Sequence, residues 1–183
     1  MVIVYLQDLY LVIIYVAVVG PSLLLVGETK SRILSLKKGS RALAYLPLTV
    51  LPLLAFAIFA VNFLSSVPFL NASWLGYNIA IGPFGNQGLF GILPFLPLLF
   101  YTLLHVNYFE ELYFRKDVKR VVIWALLHIA MGVAIYVALA LMPLGLFYKH
   151  IRNKYDVNHA YTLHFATNMF LLMVSVSSYI YLE

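Results

Sequence analysis

Cysteine is absent from the sequence, and charged residues are scarce. Of 183 residues, 63% are hydrophobic and only 10% are charged, with 12 Lys or Arg and 7 Asp or Glu. The absence of cysteine excludes disulfide bonds, cysteine-based zinc sites and a thiol nucleophile. A soluble domain of this length needs about 25% charged residues to cover its surface. We therefore expect lipid to contact most of the surface and the chain to reside in the cell membrane.

The net charge of +5 does not indicate a nucleic-acid partner. The basic residues occur in three short clusters between apolar runs, at 30–41, 115–120 and 149–154. This distribution is typical of cytoplasmic loops under the positive-inside rule. The clusters therefore predict which ends of the apolar segments face the cytoplasm, and we expect no binding of nucleic acid.

The apolar runs predict an all-α transmembrane bundle of about five to six membrane helices, forming one integral membrane domain over residues 1–183. The predicted spans are 2–26, 42–64, 88–114, 121–148 and 158–181. The first is too long for the apolar part of a signal peptide, so we expect a retained helix. Residues 27–41 are predicted as an inner loop, and 65–87 as a charge-free outer loop with Trp74 and Tyr77 at the interface.

The run 121–148 contains no formal charge and predicts a broken helix. As one helix it would be about 42 Å long, more than the hydrocarbon core requires. It would also place the basic cluster 149–154 outside, against the charge rule. We therefore predict a break at 131–133, with a short helix over 121–131 and a return helix over 133–150. The inner turns are then centred near Asp117 and Asp156.

Polar side chains inside the predicted membrane helices form three motifs, each costly to place in lipid. In chain order the motifs are Glu110–Arg115 (EELYFR), Trp124–His128 (WALLH) and His164–Asn168 (HFATN). Residues four apart share a helix face. We therefore expect Glu111 to neutralise Arg115, with Asn107 on the same stripe, whereas Glu110 points elsewhere.

The same spacing places His164 and Asn168 on one face of the last helix. Counting 1.5 Å per residue from the predicted inner turns puts Glu110, His128, His164 and Asn168 at depths of about 11 to 18 Å. A carboxylate and an imidazole in such a layer could activate a buried water for amide hydrolysis. A second imidazole and an amide could stabilise the oxyanion that forms.

Together the three motifs, EExxxR, aromatic-xxx-His and HxxxN, resemble those of the CPBP family (CAAX protease and bacteriocin-processing, also called Abi). This family contains the type II CAAX prenyl endopeptidases, and the resemblance covers a catalytic motif region at 107–168. It implies a metal-independent glutamate protease acting on a membrane protein or lipidated peptide. Trp124 stands where the family more often has Phe, and the short connection to His128 favours a compact prokaryotic relative.

The resemblance also implies a role for each motif residue. Glu110 and His128 would bind and activate the catalytic water, while His164 and Asn168 would stabilise the oxyanion. The supporting residues implied by the motifs and their helical stripes are Glu111, Arg115, Asn107 and Trp124.

Other interpretations of the same residues remain open. One is a non-proteolytic CPBP-fold protein, such as a bacteriocin-immunity factor or scaffold, and another is an ion or proton pathway. The motif residues could also be structural ion pairs or polar contacts between helices. No cofactor is expected; Glu110, His128 and His164 are acceptable zinc ligands, but an HExxH motif is missing.

Overall fold

The structure, a computed structural model, describes residues 13, 16, 17, 19–72 and 96–182. The regular structure of these described residues is entirely helical, without a strand. The predicted all-α class is therefore confirmed for this part of the chain. The α-helices are α1 (Thr29–Lys38), α2 (Leu46–Asn62), α3 (Pro68–Asn71), α4 (Leu96–Phe114), α5 (Val118–Ala130), α6 (Ile135–Lys154) and α7 (Val157–Leu182). Three 3-10 segments, Val26–Glu28, Ser40–Tyr45 and Leu64–Ser66, connect the early helices.

Two stretches of the described residues are long and apolar enough to cross a membrane. They are Ser40–Ala60, with a mean hydropathy of 2.2, and Val157–Ser177, with a mean hydropathy of 1.2. They overlap the predicted spans 42–64 and 158–181. Most of the predicted span 2–26, the first part of 88–114 and the outer-loop residues Trp74 and Tyr77 lie outside the described residues.

Three local predictions were wrong. The predicted outer loop 65–87 contains helix α3 (Pro68–Asn71), which begins with a proline, a residue favoured at the first helical position. Residues 27–41, predicted as a loop, contain helix α1, because Lys, Arg and Leu are strong helix formers. Its last turn carries Lys37 and Lys38, whose positive charges interact favourably with the negative end of the helix dipole. The return helix also continues beyond 150 to Lys154, so the third basic cluster is helical.

The predicted break near Gly132 is confirmed. Helix α5 ends at Ala130 and α6 begins at Ile135. Gly132 between them has a φ of 88°, a left-handed conformation that glycine adopts without steric cost. The break therefore folds the apolar run back into a helical hairpin.

Turns are also found at the predicted positions, Asp117 and Asp156, where acidic side chains begin a helix. Asp117 accepts a hydrogen bond from the backbone N–H of Arg120, at 2.8 Å, and so caps α5. Asp156 accepts one from the backbone N–H of His159, at 3.0 Å, at the start of α7. Such caps satisfy amide groups that lack a partner within the helix, which explains why each helix starts there.

Helix α7 occupies the centre of the described bundle and contacts α1, α2, α4 and α6. At two positions a glycine, which has no side chain, allows neighbouring helices to approach closely. Gly39, after α1, lies directly against Asn158 and Thr162 of α7, and Gly145 of α6 lies against Val121 and Trp124 of α5. Since α4 also contacts both α5 and α7, the motif-bearing helices lie next to one another.

Candidate active site

Polar side chains from α4, α5 and α7 meet in the interior of the bundle. Glu111 and Arg115 have completely buried side chains, and Asn107 and His164 are buried as well. Burying charged groups is costly unless they are paired. Their partners therefore decide what this cluster can do.

Glu111 and Arg115 form the ion pair that their spacing predicts. The Arg115 Nε lies 3.1 Å from the Glu111 Oε1. The guanidinium also lies over the Trp124 indole, 3.8 Å from the ring centroid, and 5.6 Å from that of Tyr148. Cation–π contacts of this kind stabilise a desolvated guanidinium, so Arg115 is held from two sides.

His164 lies between the two adjacent glutamates. Its Nδ1 is 2.8 Å from the Glu111 Oε1, and its Nε2 is 3.7 Å from the Glu110 Oε2. Because a carboxylate paired with arginine accepts hydrogen bonds, the Nδ1–H group donates a hydrogen bond to Glu111. Nε2 is thus left to face Glu110, whose side chain is 16% exposed, against 0% for Glu111.

Aromatic rings fix the orientation of the His164 imidazole. The Tyr148 ring stacks on it, with centroids 4.7 Å apart and an angle of 25° between the planes. The Trp124 ring approaches edge-on, at 5.7 Å and 88°. Both aromatic side chains are buried. Rotation of the imidazole away from the two glutamates would collide with this packing.

Tyr148 was not identified from the sequence. It is one of fourteen tyrosines and belongs to none of the three motifs. No local pattern distinguishes it, because its contact with His164 depends on how α6 packs against α7.

His128 lies on the other side of Trp124. Its Nδ1 is 2.8 Å from the backbone oxygen of Trp124, and its ring is edge-on to the indole at 4.8 Å. Since a carbonyl only accepts, Nδ1 donates this hydrogen bond, and Nε2 is the ring nitrogen left to face other groups. The sequence predicted that Glu110 and His128 bind the same water; in the structure the Glu110 Oε2 lies 3.7 Å from the His164 Nε2.

Asn168 and Asn107 add a second polar contact between α4 and α7. The Asn168 Nδ2 donates to the Asn107 Oδ1 at 3.1 Å. This pair lies one turn from the contact between Glu111 and His164, so the antiparallel helices are joined by two successive polar contacts. Asn168 therefore lies near the His164 imidazole, and one of its two amide protons is used in the hydrogen bond to Asn107.

The described residues contain no group of three or more His, Asp or Glu side chains that could hold a metal ion. The zinc alternative would need Glu110, His128 and His164 at ligand distances of about 2 Å. The Glu110 Oε2 and the His164 Nε2 are 3.7 Å apart, and the rings of both histidines lie edge-on to the Trp124 indole.

The chain matches no protein-family model, no curated protein and no solved structure. Its resemblance to the CPBP family therefore depends on the motifs within residues 107–168.

Proposed function

We propose that this chain is a multi-pass integral membrane protein of the CPBP type, built from five to six membrane helices. We further propose that it is an intramembrane endopeptidase, which hydrolyses peptide bonds of a membrane protein or lipidated peptide near the cytoplasmic face. The observation that carries the proposal is the unequal environment of two neighbouring carboxylates, Glu110 and Glu111, around one buried imidazole.

The distribution of polar and apolar side chains supports membrane insertion. On α2, Leu51 and Ile58 are 63% and 67% exposed, whereas Glu111 and Arg115 are 0% exposed. A water-soluble protein keeps ionised side chains outside unless they are paired. An apolar exterior around a charged interior is favourable when the surrounding solvent is lipid.

Glu110 is the better candidate for the base that activates water. The Oε1 of Glu111 already contacts both His164 and Arg115, and its side chain is inaccessible. Glu110 has the longer contact and the more exposed side chain. In the proposed reaction Glu110 accepts a proton from water while the water oxygen bonds to the substrate carbonyl carbon. The same proton then passes to the amide nitrogen as the C–N bond breaks.

The remaining motif residues would act on the same water and on the oxyanion. The His128 Nε2 would hydrogen-bond to the water. Asn168 retains one amide proton beyond its bond to Asn107, and this proton would stabilise the oxyanion. His164 would contribute through Nε2 once that nitrogen carries a proton.

Unpaired polar atoms in the cluster also support a hydrated site. Within the described residues, the Glu111 Oε2, Asn107 Nδ2 and Trp124 Nε1 atoms are buried without a hydrogen-bond partner. Buried groups of this kind are usually satisfied by ordered water in proteins. Water is the nucleophile that the proposed reaction requires.

The test is cleavage by the purified chain with Glu110→Gln, measured on membrane-protein or lipidated-peptide substrates in detergent. Loss of a general base reduces turnover by about 10²- to 10⁴-fold. The matched control is Glu28→Gln, since Glu28 is 53% exposed and pairs with Arg32 outside the cluster. A wild-type rate for Glu110→Gln, with the protein folded, would refute the catalytic assignment.

The position of His128 favours a second candidate function. Its hydrogen bond is to its own helix rather than to Glu110, as expected for a residue that packs helices. A non-proteolytic membrane protein of the same fold would need only this structural role. Full rescue of a deletion phenotype by the double variant Glu110→Ala, His128→Ala would support that candidate over the protease.

A further inference from the structure

An apolar groove of about 620 Å³ lies between α2 and α6, apart from the motif residues. Its walls include Leu48, Pro52 and Phe56 on α2 and Tyr136, Pro143 and Phe147 on α6. The polar wall residue Thr49 is already satisfied, because its hydroxyl contacts the Leu46 carbonyl and the Thr167 hydroxyl at 2.8 and 2.9 Å. The groove therefore favours an apolar occupant.

The length of the groove suits a lipid chain. Its lining on α6 extends from 136 to 147, a rise of about 16 Å along the helix. The hydrocarbon core of a bilayer is about 30 Å thick, so one leaflet is about half of that. A groove along α6 thus covers the depth that one acyl chain occupies.

A cationic cluster stands at one end of this groove. The Phe147 ring contacts the Tyr45 ring edge-on at 6.3 Å. The Tyr45 hydroxyl accepts a hydrogen bond from the Lys154 Nζ at 3.0 Å and lies 2.8 Å from the Tyr155 hydroxyl. This hydrogen bond from the ammonium to Tyr45 raises the pKa of Lys154. A second hydrogen bond, to Tyr155, acts in the same direction. An ammonium has three N–H donors, so one is left for an anion.

We infer that the groove and this cluster together bind one anionic glycerophospholipid. One acyl chain would occupy the groove, and the phosphate would accept hydrogen bonds from Lys154 and Tyr155. Charge complementarity supports this occupant, because Lys154 belongs to the basic segment 149–154 and the cytoplasmic leaflet is rich in anionic lipid. The inference rests on the membrane insertion proposed above and is independent of peptide hydrolysis.

The headgroup contact is tested by lipid-dependent thermal stability of the purified full chain in detergent. A bound lipid raises Tm in a saturable manner. We expect phosphatidylglycerol to act at lower concentration than phosphatidylcholine. Lys154→Ala should weaken the apparent affinity for phosphatidylglycerol about fivefold, which corresponds to the loss of one basic contact. The matched control Lys119→Ala removes an exposed lysine on α5 and should leave the titration unchanged.

The chain contact is tested by filling the groove. Ala140→Trp adds a ring to the α6 wall, and Leu48→Trp does so from the exposed rim on α2. Either variant should abolish the Tm shift with both lipids. The second variant keeps the test informative if the first does not fold.

Several outcomes would overturn the inference. These are equal titrations of Lys154→Ala and wild type, equal effects of the two lipids, or protection by inorganic phosphate alone. Conversion of a wild-type dimer into a monomer by Leu48→Trp would instead identify a second copy of the chain as the occupant. Glu110→Gln should retain lipid binding, so failure of the protease proposal and failure of this one are distinguishable.

Discussion

Two ion pairs with the same i,i+4 spacing differ in burial and allow a controlled test of the interior cluster. Glu111 and Arg115 have completely buried side chains and a contact of 3.1 Å. Glu28 and Arg32 are 53% and 18% exposed, with a contact of 3.7 Å. Removing one partner should therefore have very different effects at the two positions.

The expected magnitudes follow from this difference in burial. Glu111→Gln or Arg115→Met leaves an uncompensated buried charge, which costs about 3–5 kcal/mol of unfolding free energy. Since total stability is about 5–15 kcal/mol, this is a large fraction. Glu28→Gln should cost less than about 1 kcal/mol, because exposed pairs contribute little.

The double variant Glu111→Gln, Arg115→Met is the decisive comparison. It removes both charges, and the amide oxygen of the new glutamine can still accept a hydrogen bond from the His164 Nδ1. The main loss is then the cation–π contact with Trp124, about 2 kcal/mol when desolvated, partly replaced by a sulfur–aromatic contact. We expect the double variant to be more stable than either single one, about 1–2 kcal/mol below wild type.

The assay is SDS titration of the protein in mixed micelles, with helix content followed by far-UV circular dichroism. The five proteins, wild type, the two single variants, the double variant and Glu28→Gln, are compared at one protein concentration and one detergent composition. Additive costs of the two single substitutions, or losses as small as that of Glu28→Gln, would refute the buried pair.

Two further predictions concern packing and capping. Gly145→Ala places a Cβ 2.8 Å from the Val121 Cγ1 atom, so overpacking should lower the free energy of unfolding by about 1–3 kcal/mol. Gly27→Ala is the control, because its Cβ would meet no atom within 4 Å. Equal Tm values for the two variants would contradict the prediction. Partial burial raises the pKa of Asp156, but hydrogen bonds from His159 outweigh it and the net pKa is lowered. Because the pKa of Asp156 is lowered in the folded state, its ionised carboxylate stabilises the protein at pH values above the unfolded-state pKa of about 3.9. This stabilisation is lost as the pH falls through the folded-state pKa. Asp156→Ala should therefore lower Tm at pH 7 and converge with wild type in acid, and a pH-independent difference would exclude this cap.

Local interactions explain which parts of the fold could be predicted from the sequence. The pairing of Glu111 with Arg115 depends on neighbours within one helix, whose spacing is set by the helical repeat. The break at Gly132 depends on a backbone conformation that glycine favours. The turns at Asp117 and Asp156 depend on side chains that cap the following helix.

The errors have an equally local cause. Residues 27–41 were predicted as a loop because they are polar and basic, but polarity does not oppose helix formation when the residues are good helix formers. Charge patterning indicates which side of a membrane a segment faces. It does not indicate whether that segment is helical.

The sequence by itself determined the apolar character of the chain, its helical class and the three motifs, since composition and helical spacing are properties of neighbouring residues. Only the tertiary structure decided that Glu110 lies 3.7 Å from the His164 imidazole, and that Tyr148 stacks on the same ring. These contacts join separate helices. Their geometry depends on how closely α4, α5, α6 and α7 pack, which no spacing within a single helix specifies.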